Sequence, residues 1–209
     1  ILGSVTDFAA EPTETINYIE CHDNYSLWDK IVMSTKDINA TEQDRIDMDK
    51  LGAALILTSQ GLPFVQVGQD FLRSKNFIDN PYNKGDAVNQ VNWGLKEKYL
   101  SVSNYYKNLI ELRKTHPLLR FKTAKEIKDN IYFLDDDMNY KLPNNCVSYI
   151  INKGQTTDNW ENALLIFNPN SSIVEIKVPE SQWRIAADKD KFYFFDNTAP
   201  RLTNSVIVP

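Results

Sequence analysis

The sequence predicts an α/β unit followed by an all-β domain, and three observations carry that reading. Two short apolar runs, residues 16–21 and 64–67, flank a stretch of helical periodicity, which is the pattern of a βαβ unit with parallel strands. A second amphipathic stretch over residues 100–112 follows a long polar loop. Past Phe121 short alternating runs recur between Asn, Asp, Gly and Pro, the texture of an antiparallel sandwich. The boundary falls near residue 120, giving one domain over residues 1–120 and another over residues 121–209.

The first 15 residues mix small and polar types with Pro12 and read as a loop. Residues 16–21, Ile-Asn-Tyr-Ile-Glu-Cys, have the β-branched and aromatic composition of a buried strand. That strand stops in His22-Asp23-Asn24, with no Gly or Pro to make an ordinary turn. Successive side chains of a strand point to opposite faces, so His22 and Asp23 reach one ligand only where the strand ends and bends. Polar, titratable groups at the carboxyl end of a strand mark the rim of a pocket in parallel α/β sheets and barrels.

Leu27, Trp28 and Ile31 suit two helical turns packed inward, and a polar link over residues 34–40 follows. Thr41 then caps a helix whose first turn carries Glu42 and Asp44. Its apolar positions are Ile46, Met48, Leu51, Ala54, Leu55 and Ile56, and Gly61 suits its C-terminal cap. Pro63 opens the second strand and Gly68 closes it. The polar loop over residues 69–98 is too long to be idle in a compact domain, and its aromatics argue against disorder. His116-Pro117 stops the next helix, where the imidazole can meet terminal carbonyls, a structural role. Strands are expected at 131–134, 146–151, 163–167, 173–178, 183–187, 192–195 and 205–208. Asp135-Asp136-Asp137 with Asn139 lacks the spacing of a calcium loop and reads as a solvated hairpin tip.

Totals exclude several functions. A hydrophobic content of 42% with 11% aromatics supports a real core, and the net charge of -5 leaves no footprint for nucleic acid or an anionic membrane. No stretch approaches the roughly 18 apolar residues of a membrane-spanning helix. Cys21 and Cys146, far apart and outside any CxxC pair, suggest two packed thiols rather than a disulfide or zinc framework. Ile1 stands where an initiator Met would, so a processed start or a longer polypeptide is expected.

Four blocks carry a family resemblance. Residues 16–24 with Leu27-Trp28-Asp29-Lys30 resemble the seventh-strand region of type I pullulanases, debranching enzymes of the α-amylase clan. Gly61-Leu62-Pro63-Phe64 with residues 68–75 is similar to their eighth strand, and Tyr82-Asn83, Asp86 and residues 88–93 to the loop after it. Tyr105-Tyr106-Lys107 with residues 112–117 resembles the eighth barrel helix. Gln69 departs from the Glu of many clan members, which puts any ion pair there in question.

The resemblance implies the last quarter of a (β/α)8 TIM barrel, strands seven and eight with their helices, followed by a C-terminal antiparallel β-sandwich. It implies a retaining glycoside hydrolase acting on α-1,6 links of pullulan, starch or glycogen dextrins, with the nucleophile and the acid/base on strands before Ile1. These residues alone are therefore expected to be inactive. Asp23 resembles the third carboxylate, which stabilises the transition state through sugar hydroxyls. His22 is implied to hold the same sugar, while Asn24 either fixes the bend or touches sugar. Tyr82 offers a stacking face, and Asp86 and Asn89 offer hydrogen bonds; the competing reading is a loop packed by its own Tyr82 and Trp93. No cofactor or metal is implied. The implied partners are an α-glucan and the remainder of the polypeptide, with no nucleic acid and no membrane span, and a polysaccharide substrate favours a secreted or periplasmic enzyme. Two alternatives differ in class or linkage: a glycan-binding or scaffold module using Trp160, Trp183, Tyr193 and Phe194, and an α-1,4-acting amylase.

Overall fold

The computed structural model describes residues 1–193, 199–202 and 204–209. Within them the chain forms two compact units, Ile1–Glu111 and Leu112–Pro209.

In the first unit β1 (Ile16–Asn17) pairs in parallel with β2 (Leu62–Pro63), Ile16 against Leu62 and Asn17 against Pro63. The ladder continues at the Phe64 amide, which donates to the Asn17 carbonyl over 2.9 Å, and a separate parallel bridge joins Leu2 to Gln60. Gly61 makes the close approach possible: it sits at φ +97°, and a Cβ there would come 2.6 Å from Thr15 Oγ1. The paired stretch is shorter than the apolar run over residues 16–21 predicts, and its apolar side chains are not buried. Ile16 is 62% exposed, and Tyr18, Leu62, Phe64 and Val67 are also open. Each of the two strands pairs with the other alone among the described residues, so neither gains the flanking partners that bury a central strand.

Two helices connect the strands. Helix α1 (Leu27–Ser34) starts at Ser26, whose Oγ accepts the Asp29 amide over 3.1 Å, and buries Ile31 as the periodicity predicts. Helix α2 (Glu42–Thr58) opens on a reciprocal cap in which Thr41 Oγ1 accepts the Asp44 amide and Asp44 Oδ2 accepts the Thr41 amide. Its buried positions are Asp49, Lys50, Ala53, Leu57 and Thr58, whereas Met48 is exposed. Hydrophobicity alone points to a different face because the polar residues on the buried face have specific partners: Asp49 accepts the Tyr106 hydroxyl, Lys50 lies over the Tyr105 ring, and Thr58 Oγ1 donates to the Ala54 carbonyl.

The long loop carries two short helices, α3 (Asp86–Asn89) and α4 (Gly94–Lys98), before α5 (Leu100–Thr115), which buries Val102, Tyr105, Tyr106, Leu109 and Leu112. No helix among the described residues is long and apolar enough to cross a membrane.

In the second unit α6 (Ala124–Asn130) leads into an antiparallel sheet of β3 (Ile131–Phe133), β4 (Val147–Asn152) and β5 (Asn162–Phe167), in the order β3-β4-β5. Tyr149 lies between Phe133 and Phe167, with ring centroids 5.7 and 6.2 Å away. Strands β6 (Val174–Lys177) and β7 (Ser205–Val208) form a separate antiparallel pair. Where a strand is expected over residues 183–187 the chain makes only isolated bridges, Arg184 to Arg201 and Ala187 to Phe192. Phe194 and Phe195 of the expected run over residues 192–195 lie outside the described residues. At the tip after β3, Asp137 Oδ1 accepts both the backbone and side-chain amides of Asn139, a self-contained exposed turn.

Candidate functional site

Past β1 the chain turns inward before it reaches the rim. Glu20 is buried and its Oε2 accepts the Leu27 amide over 2.9 Å, at the start of α1. Desolvation pushes its carboxyl up to about 7, against the pull of that hydrogen bond and of Lys75. The bend itself is made by Asn24, which adopts the left-handed conformation at φ +60°, a region Asn tolerates better than most residues.

Lys75 holds this bend in place. Its Nζ donates to the carbonyls of Asn24 (2.6 Å), His22 (3.1 Å) and Cys21 (3.4 Å). Its own position comes from α1: the wholly buried Asp29 accepts the Ser74 hydroxyl at Oδ1, and the amides of Lys75 (2.7 Å) and Phe77 (3.2 Å) at Oδ2. Burial lowers the ammonium's pKa, with Glu20 opposing. Helix α1 thus fixes residues 74–77, and Lys75 returns that order to residues 21–24.

Beside the bend lies an open cleft of about 360 Å³. His22 and Asp23 line it from the strand end, Asn80, Pro81, Tyr82 and Asn89 from the long loop, and Gln66, Arg73 and Lys75 complete it. His22 Nε2 stands 3.5 Å from Asp23 Oδ2, and their side chains are 83% and 70% exposed. Tyr82 is 89% exposed, so its ring is free to present a face. Asn89 spends its amide nitrogen on the Pro81 carbonyl (2.8 Å), and Arg73 ties the Asn89 carbonyl (2.7 Å) to the strand-end carbonyl of Val67 (3.4 Å).

Of the six residues singled out in the sequence, four therefore share the cleft: His22, Asp23, Tyr82 and Asn89. Asn24 shapes the bend and gives its carbonyl to Lys75, and Asp86 begins α3 with an exposed side chain; neither lines the cleft. Trp93 packs against Phe71 at 5.7 Å while remaining largely open. The structural roles of Lys75, Arg73 and Asp29 do not follow from their place in the sequence, because a charged residue in a loop or at a helix start looks solvated until its burial is known. The one signal was the position of Arg73-Ser74-Lys75 directly after the apolar pair Phe71-Leu72.

Behind this region runs a buried relay. Gln69 Nε2 donates to the Tyr106 hydroxyl (3.0 Å), which donates to Asp49 Oδ1 (2.8 Å), while Asp49 Oδ2 has no hydrogen-bond partner. Desolvation pushes Asp49 up to about 8, with Glu20 and Asp70 adding to the shift, and burial raises Tyr106 too. A neutral Gln69 suits this place: Tyr106 has one proton to donate, and Asp49 takes it.

The cleft offers one carboxylate, an imidazole, an aromatic face and several amide and cationic donors, a set that matches a neutral polyhydroxyl ligand. A hydrolysis needing two carboxyl groups is not furnished by its lining, where Asp23 is the sole acid. In the second unit His116 has its expected structural role. Its Nδ1 meets Asp158 Oδ1 at 2.9 Å, its ring stacks on Trp160, and Asp158 Oδ2 accepts the Leu118 amide. Trp160 and Trp183 are half-buried, the latter donating from Nε1 to the Pro179 carbonyl (2.8 Å), and Tyr193 is half-buried, so they form no open platform; Phe194 lies outside the described residues.

Comparison with known proteins finds one family above all. Residues 127–191 match the family model of the pullulanase all-beta domain. The chain is 31% identical over 183 residues to the pullulanase of Bacillus subtilis strain 168, covering 87% of this chain and 24% of that protein. The pullulanase structure from Bacillus acidopullulyticus superposes with a TM-score of 0.91 at 39% identity, over 100% of this chain and 24% of that one. The structure of Anoxybacillus sp. LM18-11 pullulanase complexed with maltotetraose superposes with a TM-score of 0.86 at 28% identity, over 99% of this chain and 28% of that one. The chain thus spans about a quarter of the length of each of these three relatives. A β-sheet unit that matches the pullulanase all-beta domain, and pullulanase structures that superpose over the whole chain, relate this chain to the pullulanases.

Proposed function

We propose that this chain is the C-terminal part of a debranching glycoside hydrolase that cleaves α-1,6-glucosidic links in pullulan, starch or glycogen-derived dextrins with retention. Residues 1–120 supply the last quarter of its (β/α)8 barrel, and residues 121–209 its β-sandwich. The parallel β1-β2 pair and the open apolar side chains of Ile16, Tyr18, Leu62 and Phe64 support this reading, because barrel strands bury such side chains against the strands that close the barrel.

One observation carries the proposal: His22, Asp23, Tyr82 and Asn89, from two separate segments, meet in one cleft past the carboxyl ends of two parallel strands. Asp23 accepts hydrogen bonds from ring hydroxyls of the sugar at the scissile bond, and these bonds strengthen as positive charge grows on the ring. His22 orients the same ring, Tyr82 stacks on a pyranose, and Asn89 serves an outer hydroxyl. Lys75 is a positioning residue that keeps His22 and Asp23 at the rim. The nucleophile and the proton donor belong to segments outside these residues.

In the full polypeptide, Asp23→Asn should lower kcat on pullulan by about 10²–10³, the scale of losing one preorganised transition-state contact. A reducing-sugar assay on residues 1–209 alone should be flat. Unchanged turnover in Asp23→Asn, or clear turnover by the isolated 209 residues, would defeat the assignment.

A further inference from the structure

We infer that Cys21, His22 and Asp23 form a binding site for a borderline divalent cation of the zinc type. The Cys21 sulfur, a ring nitrogen of His22 and a carboxylate oxygen of Asp23 all lie within 4.8 Å of one another. His22 Nε2 and Asp23 Oδ2 are 3.5 Å apart. Ligands at about 2.0–2.1 Å from a tetrahedral zinc ion are separated by about 3.3 Å, so this edge needs almost no adjustment.

The donor set selects the metal. A thiolate and an imidazole favour zinc or its neighbours over calcium and magnesium, which take oxygen ligands. Three protein ligands leave a fourth position open to water or an incoming hydroxyl. Access is available, since His22 and Asp23 are exposed and Cys21 is half-buried with its sulfur on no stronger partner than the Asp23 carbonyl at 3.8 Å. The backbone that presents the three groups is held by Lys75 through the carbonyls of Cys21, His22 and Asn24, so little ordering remains to be done on binding. Coordination forms sulfur, nitrogen and oxygen bonds to the ion and releases the thiol proton to solvent, with no change of oxidation state.

The site itself rests on this geometry. Its consequence rests on the proposed role of the rim: an ion held by His22 and Asp23 withdraws both from sugar, so zinc inhibits the enzyme and Cys21 confers the sensitivity.

Cobalt(II) titrated into the full polypeptide tests the site, because thiolate coordination gives a charge-transfer band in the near ultraviolet. The band should saturate at one ion per chain, be displaced by zinc, vanish in Cys21→Ser and persist in Cys146→Ser. Cys21→Ser should leave metal-free turnover on pullulan unchanged and weaken zinc binding at least about tenfold. A band that survives Cys21→Ser, or none in a polypeptide with native circular dichroism, overturns the inference. Where the band is present but maltotetraose does not compete with cobalt, the metal site stands and the sugar-binding assignment of the rim falls.

Discussion

The molecule holds two histidine–aspartate pairs made of the same groups in opposite settings. His116 and Asp158 are 2.9 Å apart with side chains 7% and 0% exposed, and both carboxylate oxygens of Asp158 are taken by nearby donors. His22 and Asp23 are 3.5 Å apart, open to solvent, and leave lone pairs and ring nitrogens unused. A saturated pair has no capacity left for a ligand, so it can only stabilise. The unsaturated pair adds little to stability, since exposed ion pairs contribute about 0–1 kcal/mol, and its groups remain available for chemistry.

Exchanging the two histidines for alanine should break the comparison most sharply. His116→Ala is expected to cost about 2–4 kcal/mol of unfolding free energy, because it leaves a buried carboxylate without its partner, while turnover per folded molecule stays unchanged. His22→Ala in the full polypeptide should do the reverse, lowering kcat/KM on pullulan about 100-fold with the urea midpoint within error of the parent. Equal effects on stability from both would remove the distinction.

Lys75→Met comes next in size. It strips three carbonyls of a donor and frees the bend, so kcat on pullulan should fall about tenfold with KM little changed, and Lys75→Arg should recover part of the loss. A loss that appears only in KM would argue that Lys75 touches sugar directly.

A second contrast sets the exposed Asp23 against the buried Asp49. Asp49 rises from an ordinary 3.8 to about 8 on folding, so the native state binds a proton that the unfolded chain has released throughout that window. Stability contributed by this group is complete below about 4 and is lost as pH rises through about 8. Glu20 adds the same sign between 4.5 and about 7. Urea unfolding should therefore show a decline from pH 5 to pH 8, and Asp49→Asn, neutral at every pH, should flatten it. An unaltered slope in Asp49→Asn would place the cause elsewhere.

The smallest effect is expected at Tyr82. Its ring is nearly all exposed, and losing one aromatic contact should raise KM by about three- to tenfold at constant kcat. A kcat change instead would mean that the loop helps assemble the rim.

Much of this was legible along the chain. Thr41 with Asp44 announced the start of α2, the two apolar runs announced parallel strands, and His22-Asp23 stood out because nothing in a turn requires them. The extent of the strands was not legible, since the paired length depends on neighbours that composition does not supply. Nor was the buried face of α2: Asp49 and Lys50 read as solvated charges, and only the Tyr106 hydroxyl shows why Asp49 sits inside. Asn24 and Asp86 look as suited to a ligand as Asn89 does, and the cleft separates them.

By itself the sequence determined the order and class of elements, the break at which the rim forms, and the residue types able to meet a sugar. Those properties are local, set by propensity, periodicity and side-chain chemistry within a few residues. Tertiary structure alone decided that Tyr82 faces the same opening as Asp23, that Lys75 grips three carbonyls some fifty residues away, and that one histidine–aspartate pair is spent while the other is free. Burial and the pairing of distant groups follow from how segments pack in space, which no window of neighbouring residues encodes.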